Sequence, residues 1–121
     1  MRPDRAGAER RGRAAEGVAL LLLRLKGYRL LARRFRAPTG EVDLIMRKGT
    51  TTAFIEVKQR MSHDAGVVAV TNHQARRIAS AAASWMGRDP HAARGFCRFD
   101  IVTVSPYLWP RHLPNAFDGD R

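Results

Sequence analysis

Asp43, Glu56 and Lys58 have the types and the spacing to place two carboxylates and an ammonium together as a metal-binding reaction centre: an acid in the run Gly40 to Ile45, then Glu-x-Lys in Phe54 to Arg60. Two carboxylates brought together on a half-covered sheet repel each other and lose solvation. That cost is offset by protonation, by a neighbouring cation or by a bound metal. Oxygen ligands of this kind suit Mg²⁺ or Mn²⁺, which keep several waters and bind phosphate oxygens. The plainer alternative is a set of exposed strand residues, with Lys58 in a surface salt bridge to Glu56 or Asp43. Two observations weigh against it. The flanking residues are strongly apolar, and Glu41, Asp43 and Glu56 cluster in a chain otherwise dominated by Arg.

These residues need strands to hold them. Glu41 to Arg47 and Thr52 to Lys58 read as β-strands joined by a hairpin turn at Lys48-Gly49-Thr50. Alternation places Glu41, Asp43 and Ile45 on one face and Val42, Leu44 and Met46 on the other, with Glu56 and Lys58 sharing one side of the next strand. Upstream, Glu9 to Lys26 is Ala- and Leu-rich and predicts a helix closed by Gly27, and Tyr28 to Arg36 predicts a strand ending in the turn Pro38-Thr39-Gly40.

Gln59 to Val70 lacks periodicity and reads as a loop. Thr71 opens a second helix in which Ala75, Ile78, Ala79, Ala82, Trp85 and Met86 recur at helical spacing, with Gly87 at its end. Arg88 to Gly95 reads as a polar loop and Phe96 to Val104 as a strand. The order αβββαβ predicts an α/β (α+β) domain, with a mixed central sheet flanked by helices. Its last βαβ unit places two strands parallel through a right-handed crossover. Residues 1–8 are expected to be mobile, 9–105 to form the single domain, and 106–121 to form a Pro-containing tail.

The chain has 121 residues, enough for one core, and 22 Lys and Arg against 11 Asp and Glu give a formal charge of +11. A polyanionic partner follows, nucleic acid ahead of an acidic membrane surface, with a merely solvated basic face as the alternative. The single cysteine, Cys97, cannot form an internal disulfide, so a reducing cytoplasm is the default location. Basic Arg10, Arg11 and Arg13 before Val18 to Leu23 mimic an export signal. The apolar run ends at Arg24 and Lys26, too soon for such a signal or for a membrane span.

Gly40-Glu41-Val42-Asp43-Leu44-Ile45 followed by Phe54-Ile55-Glu56-Val57-Lys58-Gln59-Arg60 resembles the active-site signature of the PD-(D/E)xK nuclease superfamily. More narrowly, the stretch from about Ala15 to Val104 resembles the YraN-like family, described as endonucleases related to Holliday junction resolvases. Ala15-Glu16, Gly27-Tyr28, Ala69-Val70-Thr71 and Arg98-Phe99-Asp100 carry that likeness together with the two strand motifs. The resemblance implies a restriction-endonuclease-like core and a Mg²⁺- or Mn²⁺-dependent endonuclease acting on DNA, including branched or otherwise structured DNA. Asp43, Glu56 and the Val57 carbonyl are implied as metal ligands, and Lys58 as the group that positions or helps deprotonate the attacking water. Glu16 is implied as the helix-one acid that completes the site. It shares a stripe with Leu20 and Leu23 and so should face the sheet, although an acid favoured by the helix dipole is the alternative. Resolvase-like enzymes that cut two strands symmetrically act as dimers, so a homodimer is a further implication.

Gln74 departs from the family, which has Lys there; Thr71-Asn72-His73-Gln74 fits a capping box instead. By charge and proximity, Arg33, Arg34, Arg36, Arg60, Arg76 and Arg77 are the candidate nucleic-acid contacts, each with an ordinary solvated role as its alternative. His63, His73, His91 and His112 lack zinc-ligand spacing with Cys97. Trp85 reads as core. Tyr107 and Trp109, flanked by Pro106 and Pro110, could dock the tail on its own domain or on a partner, and Asp100 could support the site or form a strand salt bridge. Two other classes compete with the enzyme: a non-catalytic nucleic-acid-binding module that retains the fold, and a basic protein bound to ribosomal RNA.

Overall fold

A computed structural model describes residues 5–61 and 70–117, with side chains from residue 12 onward. Its elements run α1 (Arg5–Leu25), β1 (Arg29–Ala37), β2 (Gly40–Lys48), β3 (Thr51–Gln59), α2 (Asn72–Arg88), α3 (Pro90–Arg94), β4 (Phe96–Val104) and β5 (Arg111–Leu113). Ala69 and His63 of the sequence reading, and most of the expected loop after Gln59, lie outside the described residues.

Local chemistry accounts for the boundaries. Gly27 adopts φ +94°, and the Tyr28 amide donates to the Leu23 carbonyl at 2.9 Å and the Gly27 amide to the Arg24 carbonyl at 3.0 Å, closing α1 as a Schellman motif. Thr71 caps α2 with both arms of a capping box: the Gln74 amide donates to Thr71 Oγ1 at 3.1 Å and the Thr71 amide to Gln74 Oε1 at 3.2 Å. Gln74 is therefore occupied in holding the helix end. The β2–β3 hairpin turns on Gly49 and Thr50, with Gly49 at φ +59°.

The sheet has the order β1-β2-β3-β4-β5, antiparallel except for the parallel β3–β4 pair, so the mixed α/β architecture and the αβββαβ order are observed. On one face Ala19, Leu20 and Leu23 of α1 pack on Leu44, Met46, Ile55 and Val102. On the other, Ile78, Ala81 and Ala82 of α2 pack on Val42, Ile45 and Phe54. Each helix presents one apolar stripe to one face, and these two layers hold the core.

Five expectations are corrected. Helix α1 begins at Arg5 rather than Glu9, and α2 runs one residue past Gly87. The segment read as a polar loop contains α3, whose Asp89 N-cap and Pro90 at the first helical position suit a helix start. The tail supplies β5, which pairs Leu113 with Ile101 and Arg111 with Thr103. Finally, Val42 lies on the α2 face together with Ile45, whereas Leu44 and Met46 lie on the α1 face. The alternation along β2 therefore breaks near Asp43. The β2–β3 ladder stops there, at Leu44↔Ile55, and across from it Arg34 of β1 takes φ +50°.

Gly40 sets how closely β2 meets α2. A Cβ on Gly40 would lie 1.9 Å from the Arg77 carbonyl oxygen, an atom of the α2 backbone that cannot swing aside. Gly40→Ala is expected to destabilise the fold by about 2 kcal/mol or more in urea denaturation, because α2 must shift to admit one methyl group. A change below about 0.5 kcal/mol would show that this approach is not tight.

Candidate active site

The break in β2 creates the site. Beyond Leu44 and Ile55 the strands splay, and the Val57 amide has no ladder partner on β2; it donates instead to Asp43 Oδ2 at 2.8 Å. Asp43 therefore sits in the fork between the strands, in line with the sheet rather than on the face that simple alternation assigns. On an extended strand the N–H and C=O of one residue leave by the same edge, so the Val57 carbonyl also opens into the fork.

Glu56 lies beside Asp43 and shares a hydrogen bond with it. Its pKa is raised from 4.5 to about 8, first by burial, then by the charge of Asp43 and by their shared hydrogen bond, with a smaller push from Glu41; Lys58 opposes these. Lys58 itself is buried, two residues along the same side of β3. The pair thus holds a proton that a carboxylate in water would have lost.

This imposes a pH dependence. In the folded chain Glu56 keeps its proton to about pH 8, whereas unfolded it ionises near 4.5, so between those values the folded state binds more protons. Its stabilising contribution is complete below about pH 4.5 and is lost as pH rises through about 8. For metal-free protein, stability is expected to fall by up to about 3 kcal/mol between pH 5 and 8.5, and Glu56→Gln to flatten that slope. Thermal unfolding across the range checks this; an unchanged slope in the variant would place the titration elsewhere.

Glu16 is buried on α1 with Leu20 and Leu23, facing the sheet as its stripe requires. It enters the same cleft as Asp43, a cavity of about 360 Å³ also lined by Arg34, Arg36, Glu41 and Val42. Its carboxylate, however, is held by Arg34, whose Nε donates to both oxygens at 2.8 and 3.1 Å, and Arg33 Nη2 stands 3.9 Å away. At the lip, Glu41 pairs with Arg36 at 3.6 Å and Arg77 at 3.8 Å. Four of the six expected basic contacts therefore border the cleft. Arg76 lies exposed on α2, and Arg60 continues β3 past Lys58, its amide bonded to the Val104 carbonyl.

The donor chemistry admits a hard divalent cation, since Asp43 and Glu56 are close enough to share a proton and a cation can take that proton's place. Asp43, Glu56 and the Val57 carbonyl would hold it. Among the described residues no three His, Cys, Asp or Glu side chains converge on one point, and Glu16 is occupied by Arg34, so a third carboxylate ligand is not in position. The sequence reading missed Glu41 as a wall of the site and Arg34 as the partner of Glu16. The first was signalled by its two-residue spacing from Asp43; nothing local signalled the second.

Asp100 proves to be a structural anchor. Fully buried, it accepts a bidentate pair from Arg98, both at 2.8 Å, lies 2.8 Å from His112 Nε2, and takes the Asn115 amide at 2.9 Å. Arg98 also donates to the Tyr28 hydroxyl.

Fold and site together define a small α/β protein with paired carboxylates and a buried lysine at a strand fork. The chain belongs to the uncharacterised protein family UPF0102, whose model matches residues 15–104. It is 53% identical to a UPF0102 protein of Methylorubrum extorquens strain PA1, over 98% of this chain and 97% of that relative. A UPF0102 protein of Parvibaculum lavamentivorans is 50% identical over 91% of this chain and 83% of its own, and protein R00337 of Rhizobium meliloti strain 1021 is 48% identical over 96% and 97%. No helix among the described residues is long and apolar enough to cross a membrane.

Proposed function

We propose that this chain is a divalent-metal-dependent endonuclease that hydrolyses phosphodiester bonds in DNA, of the PD-(D/E)xK kind that its sequence motifs resemble. The carrying observation is the placement of Asp43 beside Glu56 at the strand fork, with the Val57 amide fixing Asp43 and a buried Lys58 on the same strand as Glu56, in a chain of net charge +11. A Mg²⁺ or Mn²⁺ ion in that pair supplies the charge that activates a water and neutralises a phosphate oxygen. Asp43 is held in register for this by the Val57 amide, so its carboxylate does not have to reorganise. Lys58 Nζ orients the attacking water and stabilises negative charge developing on the phosphate. The arginines at the lip hold flanking phosphates and fix the strand's position, contributing affinity without sequence choice.

A second reading has a specific observation behind it. Arg34 neutralises Glu16, and two carboxylates without a third are a weak cage, which suits a module that binds nucleic acid without turnover. Titration calorimetry with Mn²⁺ separates the two, since the enzyme reading requires a stoichiometric site. Incubation with linear, single-stranded and four-way-junction DNA in Mg²⁺ or Mn²⁺ then tests turnover: cleavage of at least one form is expected, and none in any form with a filled metal site would favour the binding module.

A further inference from the structure

The end of the sheet farthest from the acidic cleft gathers cations. On β2, Asp43 stands at the cleft and Lys48 at the other end; on α1, Glu16 stands at the cleft and Lys26 follows the last helical residue, Leu25. Both spans come to about 15–17 Å at the rise per residue of a helix and of a strand. The two lysines meet at the turn after α1. A Cβ on Gly27 would lie 3.5 Å from Lys48 Cε, and Lys48 Nζ stands 5.4 Å from the centre of the Tyr28 ring. The Arg98 guanidinium carbon is 5.7 Å from the same ring.

Lys26 is exposed yet held. Its Nζ lies 2.5 Å from His112 Nδ1, and the other ring nitrogen, Nε2, is 2.8 Å from Asp100 Oδ2. A lysine ammonium only donates, so Nδ1 accepts and the Nε2 hydrogen goes to Asp100. The His112 side chain is 3% exposed and Asp100 is fully buried, so the lysine is tethered through them to the sheet. Asp100 is the carboxylate of this group, and Arg98 already takes both its oxygens. Among the described residues neither Lys26 nor Lys48 has a carboxylate within ion-pair distance. Cations gathered in this way repel, and an anion between them relieves the repulsion. Cations at a helix C-terminus or along an open sheet edge have ordinary uses, complementing the macrodipole and opposing strand addition. Side chains loose in solvent serve both. A tether to a buried Asp–His pair suits an ammonium that must occupy one place.

Strand β1 links the two ends. It is an outer strand of the sheet, with Arg36, Arg34 and Arg33 towards the cleft and exposed Arg29 beside the Tyr28 turn. We infer that Lys26 and Lys48 hold a backbone phosphate of a DNA duplex whose scissile phosphate lies in the acidic cleft, with the β1 edge as the track between them. Phosphates of one strand follow each other about every 3.4 Å along the duplex axis, so the two contacts stand about five base pairs apart. The inference rests on the phosphodiester reading of the cleft, and it makes a duplex arm of that length part of what the protein recognises.

The test is run on the full chain in EDTA, so cleavage plays no part in the readout. Affinity for a blunt hairpin duplex long enough to span both sites is measured against salt concentration. The double variant Lys26→Ala, Lys48→Ala is expected to bind about tenfold more weakly at low salt and to lower the slope of log affinity against log salt by about 1 to 2. Both lysines are exposed, so the melting temperature should stay close to that of the wild type. Arg88→Ala removes an exposed cation from α2, on the opposite face of the sheet, and is expected to leave the slope unchanged. An unchanged slope in the double variant, or an equal loss in Arg88→Ala, would overturn the inference while leaving the metal reading of Asp43 and Glu56 standing. So would micromolar binding of inorganic phosphate alone that the double variant loses, since the lysines would then serve a small phosphate ligand. Wild-type protein that binds no duplex would overturn the nucleic-acid reading as well.

Discussion

Replacing Asp43 with Asn is expected to reduce DNA cleavage by about 10²- to 10³-fold and to weaken Mn²⁺ binding at least tenfold, while raising stability at pH 8. The opposed signs distinguish a functional residue from a structural one. Asn keeps the shape of the carboxylate and an oxygen that can accept the Val57 amide, so the fork should stay as it is. What disappears is the negative charge, which in the wild type is the second-largest force raising the Glu56 pKa. Without it Glu56 ionises closer to its ordinary range, and the penalty that builds up between about pH 4.5 and 8 shrinks. Cleavage rates and melting curves on the same preparation check both halves. Wild-type cleavage would sink the assignment, and loss of cleavage with loss of stability would make Asp43 a strut of the sheet.

The largest effect on stability is expected at Asp100. Burial alone would raise its pKa, but the hydrogen bonds from His112, Arg98 and the Asn115 amide outweigh burial and hold it below the ordinary carboxylate value. Asp100→Ala leaves those donors facing a void, and breaking a buried pair from one side costs about 3–5 kcal/mol. The sign with pH is opposite to that of Glu56. A depressed carboxylate contributes stability that is present above its unfolded pKa, 3.8, and is lost as pH falls through its folded value. The gap between wild type and variant, measured by urea denaturation, should therefore be full at pH 7 and close progressively below about pH 4. A gap that persists unchanged at pH 3 would assign the loss to packing rather than to charge.

The parts of this fold that sequence discloses are those with strong local rules. Gly27, Gly49 and the Thr71–Gln74 box mark turns and caps within a few residues, and the apolar stripes of α1 and α2 give their buried faces directly. Helix α3 and strand β5 are too short for periodicity to show, at five and three residues; only Asp89-Pro90 signals the former. At the site, the residue types around Asp43 and Glu56 are legible, but the fork is not. Alternation assumes an unbroken ladder, and the break depends on β1, β2 and β3 together, including the left-handed Arg34. The Arg34–Glu16 pair joins α1 to β1 and is equally nonlocal. It also changes how Glu16 is understood, because a carboxylate gripped by a guanidinium is poorly placed to ligate a metal.

The two-residue turns that join β1, β2 and β3 also set the order in which the site comes together. Contacts between neighbours in sequence close small loops and form early, whereas the parallel β3–β4 pairing must wait for a long connection through α2 and α3 to close. Asp43, Glu56 and Lys58 all belong to the early part. Their juxtaposition is a property of the β1–β2–β3 meander, and the later elements supply the burial that raises the Glu56 pKa. Geometry precedes electrostatics along the folding path, and the constellation acquires its chemical character only when β4 and the helices cover it.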